Sequence, residues 1–214
     1  MKITYKAGSD ELTEKKSRFI ADVFPLHSEE EAPAILESVK KKYWDARHHV
    51  YAYICGENQK IARFSDDGEP QGTGGRPVLE LLKNEEMTNT LIIVTRYFGG
   101  TLLGTGGLTR AYGGAAALGL KASGTAEVRT GVRVELGMDY AQAGKAEHLI
   151  RTMDMVVLGN EYGAGVTMKI LSSVEVFSAF REKLNEITGA SHTEIVSDPL
   201  KYYVSDDGAV HFIT

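Results

Sequence analysis

The feature that most constrains this chain is a glycine-rich stretch at residues 96–120, RYFGGTLLGTGGLTRAYGGAAALGL. It contains eight glycines and follows the apolar run 91–94, so the pattern predicts a strand, a glycine loop and then a helix over residues 108–120. Glycines let a ligand approach the backbone closely, and a helix start offers unpaired N–H groups with partial positive charge. The loop is therefore suited to an anion, although tight turns and close helix packing would use the same glycines.

A second glycine loop, DDGEPQGTGGRP at residues 66–77, precedes a helix predicted from Pro77 to about Glu86. It has no large hydrophobic residue, which predicts an exposed loop. If the fold brings the two loops together, three carboxylates would lie near three arginines: Asp66, Asp67 and Glu69, and Arg76, Arg96 and Arg110. The groups would then form either a closed network of ion pairs or a polar cleft that holds a charged ligand.

The composition is that of an ordinary soluble globular protein, with 43% hydrophobic and 25% charged residues in 214. The sequence has no long apolar segment and no signal-peptide core at its start, so we expect a cytoplasmic protein that does not enter a membrane. Its single cysteine, Cys55, has no disulfide partner within the chain and ends an alternating apolar run, which predicts core packing.

The net charge of −5 is placed unevenly along the chain. Residues 1–124 carry sixteen Lys or Arg and sixteen Asp or Glu, whereas residues 125–214 carry eight and thirteen. Neither part has the basic excess that drives non-specific duplex binding. Any contact with nucleic acid must therefore come from a local patch.

The predicted elements indicate an α+β fold in two domains. In the first, a strand at 17–24, a helix at 28–43 and a hairpin of strands 49–55 and 60–65 precede the glycine loops. The helix starts either with a Ser28–Glu31 capping box or, because Pro33 belongs in a first turn, nearer Glu30. From residue 128 the pattern reads β-α-β-β-α-β, the order of a ferredoxin-like domain, with its last strand (192–204) interrupted near Pro199. The short polar segment 122–125 sets the predicted boundary, giving domains 1–124 and 125–214.

The motifs of the first domain resemble the YigZ/IMPACT family. The matching residues are DGEP at 67–70, GTGGRP at 72–77, RYFGG at 96–100 and LGTGGLTRAY at 103–112, and Gly74 departs from the alanine usual there. The resemblance implies a first domain similar to domain 2 of ribosomal protein S5 and a C-terminal ferredoxin-like domain similar to those of elongation factor G. It also implies that eukaryotic relatives regulate translation initiation through protein–protein contacts of a stress-kinase pathway.

Three functions are consistent with these patterns. The first is a non-enzymatic, translation-related binding protein that contacts RNA, the ribosome or a translation-associated protein, with arginines for phosphate and Tyr97 or Phe98 for stacking. The second is a phosphate- or nucleotide-handling enzyme in which Asp66, Asp67 and Glu69 hold a divalent ion. The third places a protein-binding surface on the C-terminal sheet.

The absence of a Walker lysine motif and of a nucleophile elbow favours binding over catalysis. We identify no catalytic residue, expect no cofactor or resident metal, and leave the oligomeric state open. His48 and His49 are predicted on opposite faces of a strand, which does not indicate a metal site. The predicted binding residues are Asp66, Asp67, Glu69, Thr73, Arg76, Arg96, Tyr97, Gly99, Gly100, Gly104, Gly106, Gly107 and Arg110.

Overall fold

A computed structural model describes residues 1–56 and 59–213, which form two compact units. Among these residues, the first unit comprises those in the ranges 1–127 and 204–209, and the second comprises 128–203 with 210–213. Strands and helices alternate irregularly in both units, which confirms the predicted α+β class. None of the helices within the described residues has the length and hydropathy needed to span a bilayer.

The first unit combines two sheets with three helices. Its elements are β1 Lys2–Lys6, β2 Gly8–Glu14, β3 Ser17–Pro25, α1 Ala32–Lys42, β4 His48–Cys55, β5 Ile61–Ser65, α2 Gly75–Asn84, β6 Met87–Thr88, β7 Thr90–Tyr97, α3 Gly104–Ala122 and β8 Gly124–Glu127. The larger sheet has five antiparallel strands in the order β2-β3-β7-β4-β5. The strands β6, β1 and β8 form a separate small sheet in that order.

Helices cover the large sheet on both faces. Apolar side chains of α2 and α3 pack with alternate residues of β3, β4 and β7 to form the main core. On the opposite face, α1 covers a smaller cluster that includes Tyr53, Leu91 and the buried Cys55, which confirms the core position predicted for the cysteine. The central strands are therefore buried on both sides, and the loops that follow β5 and β7 lie at the ends of these strands.

The second unit is one sheet with two helices, in the predicted order β-α-β-β-α-β. Its elements are β9 Arg129–Met138, α4 Tyr140–Thr152, β10 Val156–Tyr162, β11 Val166–Ser172, α5 Val174–Thr188, β12 Thr193–Val196, β13 Leu200–Val204 and β14 Val210–Ile213. The sheet runs β10-β11-β9-β13-β14. Both β12 and β13 pair with β9, which confirms that the last strand is split near Pro199.

Three helix starts differ from the predicted ones. The helix predicted from residue 108 begins at Gly104, because three of the loop glycines form its first turn. The helix predicted from Pro77 begins at Gly75, which places the proline in the first turn, where it needs no hydrogen-bond acceptor. The Ser28–Glu31 capping box is wrong: Ser28 makes no capping bond, and the Glu31 carboxylate instead accepts from the His27 N–H at 3.0 Å.

Candidate functional site

The loop between β5 and α2 is organised by the carboxylate of Asp66. Its Oδ2 accepts from the N–H of Gly72 at 2.7 Å, and its Oδ1 accepts from the N–H groups of Gly74 and Gly75 at 2.9 Å each. A Cβ at Gly75 would lie 2.7 Å from the Ser65 carbonyl oxygen, so the loop packs directly on the strand before it. The prediction of an exposed loop is therefore wrong at residues 73–75, which are buried because backbone contacts replace a hydrophobic anchor.

The neighbouring Asp67 fastens the same loop to the start of β4. Its Oδ2 accepts from the N–H of His49 at 2.6 Å, and its carbonyl oxygen lies 2.8 Å from Nδ1 of His48. Its φ of +43° is a left-handed conformation that aspartate tolerates better than most residues. Thr73 completes the loop, since its hydroxyl donates to the Pro70 carbonyl oxygen at 2.7 Å.

Burial lowers the pKa of His49, while the Tyr43 carbonyl oxygen and the Asp67 carboxylate partly oppose that effect. In the unfolded chain His49 takes up a proton near pH 6.5, whereas in the folded chain it does so only at a lower pH. The contribution of His49 to stability is therefore present above pH 6.5 and is lost as the pH falls through the folded-state pKa. We expect the His49→Gln variant to lose less stability than the wild type between about pH 7.5 and 5.5 in urea unfolding. The exposed His27→Gln variant is the control, and equal pH dependence in His49→Gln and wild type would contradict the assignment.

The two glycine loops meet at a buried ion pair. Nη1 of Arg96, at the end of β7, lies 2.6 Å from Oε1 of Glu69, and the two side chains are only 7% and 4% exposed. The same carboxylate oxygen accepts from the Tyr112 hydroxyl of α3 at 2.8 Å. Burial, and then the Glu69 carboxylate, raise the pKa of Tyr112 well above its usual range, so the hydroxyl stays a donor. The sequence left open whether these groups form a closed network of ion pairs or a polar cleft. Glu69 and Arg96 form a closed ion pair.

Aromatic rings hold the arginine in place. The guanidinium carbon of Arg96 lies 5.4 Å from the ring centre of Phe19 and 5.5 Å from that of Phe98. Its Nε is buried without a hydrogen-bond partner among the described residues, and its Nη2 is 3.5 Å from the Ser17 hydroxyl. An arginine this enclosed stabilises the junction of the loops and is not available to an RNA phosphate. Tyr112, Ser17 and Phe19 are parts of this junction that the sequence pattern did not single out.

The other predicted polar residues lie further out. Arg76 is exposed and pairs with Glu80 one helical turn on, at 2.9 Å. The hydroxyl of Tyr97 donates to the Asp45 carboxylate at 2.7 Å. Arg110 is exposed and has no hydrogen bond or ion pair to any described residue. The structure therefore brings Glu69 and Arg96 together and leaves Arg76 and Arg110 outside that contact.

The glycines between β7 and the first turn of α3 serve different needs. A Cβ at Gly99 would lie 2.0 Å from the backbone carbon of Lys16, so the loop after β7 packs closely against the β2–β3 turn. Gly100 and Gly104 have φ values of +82° and +71°, which favour glycine. Gly106 and Gly107 lie in the first turn of α3, where Gly107 packs against Leu103.

A cleft of about 240 Å³ lies between the end of β2 and the first turns of α3. Its lining residues include Leu12, Glu14, Lys15, Leu103, Gly107 and Arg110. The start of α3 has no side-chain cap and no acidic residue in its first turn, so no group of the helix itself offsets the partial positive charge there. With two cations against one carboxylate, the cleft has the chemistry of an anion site.

The carboxylates that a metal-assisted enzyme would need are engaged within the protein. Asp66 and Asp67 accept from backbone N–H groups, and Glu69 accepts from Arg96 and Tyr112. Among the described residues, no group of three or more His, Cys, Asp or Glu has the arrangement of a metal site. The geometry thus gives no specific support to phosphoryl transfer at these loops.

Comparisons with known proteins agree with the motifs of the two loops. Residues 15–120 match the family described as the Impact N-terminal domain, and residues 136–191 match the Domain of unknown function (DUF1949). The IMPACT family member YvyE of Bacillus subtilis (strain 168) is 36% identical over 92% of this chain and 90% of its own length. The chain belongs to the IMPACT family.

Two further comparisons cover most of this IMPACT family member. The family member YigZ of Escherichia coli (strain K12) is 36% identical over 83% of this chain and 88% of its own length. A crystal structure of a hypothetical protein has a TM-score of 0.57 and 32% identity, and the match covers 92% of this chain and 97% of the other. Both matches extend into the two units of this chain.

Proposed function

We propose that this IMPACT family member is a non-enzymatic binding protein that regulates translation by contacting RNA, with its binding surface at the cleft beside the start of α3. The observation that carries the proposal is that some charged side chains near the glycine loops are already paired within the protein, while others are free of any partner among the described residues. The three loop carboxylates and Arg96 are engaged by contacts within the protein, whereas Lys15 and Arg110 remain exposed at an uncapped helix start.

This surface has three properties that phosphate recognition requires. Helix N–H groups donate to anionic oxygens, arginine offers a planar fork of donors, and lysine adds a mobile point charge. Phe98 lies on the loop that leads into α3 and is 55% exposed, so one face of its ring can stack on a base. The rigid ion pair between Glu69 and Arg96 fixes this loop before the ligand arrives, which lowers the entropic cost of binding.

Translation is the proposed setting because of the family. The resemblance implies that eukaryotic relatives of the first domain regulate translation initiation, and the ribosome supplies exposed RNA phosphates. A translation-associated protein with an acidic surface is the competing partner for the same cations. Cosedimentation with ribosomal subunits, followed by ribonuclease treatment of the subunits, separates the two: RNA-dependent binding is expected, and binding that survives digestion would point to a protein.

The salt dependence of RNA affinity tests the proposed surface. We expect log Kd for a mixed-sequence single-stranded RNA to vary steeply with log salt. The Lys15→Ala/Arg110→Ala double variant should reduce that slope by about 1.4, because each missing phosphate partner removes about 0.7. The matched control is Lys183→Ala, which removes an exposed lysine from the second unit. A flat slope in the wild type, or an unchanged slope in the double variant, would refute the RNA assignment.

A further inference from the structure

The only tryptophan of the chain is displayed on the surface. Trp44 follows the last residue of α1 by two positions and is 82% exposed. Tryptophan has the largest apolar surface of any side chain and is highly buried on average in folded proteins. A tryptophan that is left this open offers nearly its whole aromatic face to a ligand.

The turn that carries Trp44 is fixed by hydrogen bonds on both sides of it in the chain. The N–H of Ala46 donates to the Tyr43 carbonyl oxygen at 3.0 Å, and Nε2 of the buried His49 lies 3.3 Å from the same oxygen. The Asp45 carboxylate accepts from the Tyr97 hydroxyl of β7 at 2.7 Å. Trp44 is therefore presented by an ordered turn, and little further ordering would be needed on binding.

Unpaired cations flank the ring in the sequence. Lys41 and Arg47 are exposed and have no ion pair to a described residue, whereas Lys42 pairs with Asp22 at 3.0 Å. The acidic residue next to the tryptophan, Asp45, is already engaged by Tyr97. The segment therefore combines an exposed aromatic face with two available cations within three residues of it in the chain, and proteins bind single-stranded nucleic acid with such groups by stacking bases and pairing phosphates.

We propose that Trp44 stacks on an unpaired base of single-stranded RNA whose phosphates contact Lys41 and Arg47. The proposal rests on the proposed function for its ligand but uses different residues. The two surfaces lie at the same end of the sheet, because His48 at the start of β4 pairs with Arg96 near the end of β7. A duplex keeps its bases stacked on one another, so the indole ring selects a single strand. An acidic protein would engage the cations but leave the indole ring unused.

Fluorescence of Trp44 tests this directly, because no other tryptophan contributes. We expect a short oligoadenylate to quench the emission saturably, and an abasic oligonucleotide of equal length, which keeps the phosphates, to bind without that quenching. In fluorescence anisotropy with labelled oligoadenylate, Trp44→Ala should weaken binding about 5- to 150-fold, and Trp44→Phe should recover part of the affinity. The control is Tyr162→Ala, which removes an exposed aromatic ring from the second unit.

Each other outcome is decisive. Unchanged affinity in Trp44→Ala, or equal quenching by the abasic strand, would overturn the stacking site. Binding of polyglutamate, measured by anisotropy, without any binding of oligoadenylate would also overturn it and would indicate an acidic protein. Loss of binding in Lys15→Ala/Arg110→Ala together with wild-type binding in Trp44→Ala would refute this inference and leave the proposed function standing. The reverse pattern would retain the Trp44 site and refute the proposed cleft.

Discussion

The Glu69→Gln variant is expected to lower the free energy of unfolding by about 3–5 kcal/mol, the cost of breaking a buried ion pair by removing one partner. The amide is nearly the same size as the carboxylate, so the packing changes little. The variant removes the negative charge beside Arg96, whose side chain is only 7% exposed and whose guanidinium would be left buried and uncompensated. Urea unfolding followed by far-UV circular dichroism measures the change.

The chain contains a matched control for that experiment. Glu80 pairs with Arg76 at a similar distance, but both side chains are more than half exposed, at 58% and 68%. Water screens such a pair, so Glu80→Gln should cost about 0–1 kcal/mol. Equal small effects in the two variants would contradict the buried ion pair. Replacing Glu69 by leucine and Arg96 by methionine together should recover part of the stability, since no uncompensated charge remains.

The Asp66→Ala variant is expected to lower the free energy of unfolding by about 1.5–3 kcal/mol, the value of a hydrogen bond to a charged group. Three N–H donors lose their acceptor, but the half-buried site lets water replace part of the interaction. The variant should ease local opening of the loop more than it eases unfolding of the whole protein. Amide hydrogen exchange of Gly74 and Gly75, both buried, should accelerate strongly because the loop opens without complete unfolding.

The tetrapeptide Ser-Asp-Asp-Gly that contains Asp66, residues 65–68, recurs at residues 205–208 and provides the comparison. Asp206 occupies the equivalent position in residues 205–208, where the segment is a turn between β13 and β14 and the residue is exposed. Asp206→Ala should leave the exchange of Gly74 and Gly75 unchanged and should affect stability less. If Asp66→Ala leaves the exchange of those two amides at the wild-type rate, the carboxylate does not organise the loop.

Much of the fold follows from periodicity that sequence alone reveals. The order β-α-β-β-α-β was predictable because each segment of the second unit shows a distinct strand or helix period. The break near Pro199 was predictable because proline has no N–H to donate to a neighbouring strand. The strand β2 was not predictable from the sequence, because it is an edge strand whose side chains are mostly polar and exposed. Its turn to β3 uses Lys15 and Lys16 with φ values of +45° and +67°, a conformation that usually needs glycine or asparagine.

The candidate site was predictable only in part, because contacts between distant segments decide which of its charged groups meet. Glycine spacing and charge indicated that the loops belong together, but they did not show which carboxylate would meet which arginine. The pairing depends on how deeply each arginine is buried. Arg96 lies near the end of a central strand and is enclosed by Phe19 and Phe98, whereas Arg110 lies on the exposed side of α3. Lys15 enters the cleft through the unpredicted hairpin, so no local pattern could have placed it there.

The most direct test of the proposed function is amide chemical-shift mapping by NMR with a short single-stranded RNA. The proposed surface predicts that the largest shifts fall on Gly104, Gly106 and Gly107 at the start of α3, and on Lys15 and Lys16 in the adjoining turn. Amides of the second unit, residues 128–203, should move little. Unshifted amides at the start of α3 together with large shifts in the second unit would contradict the proposal.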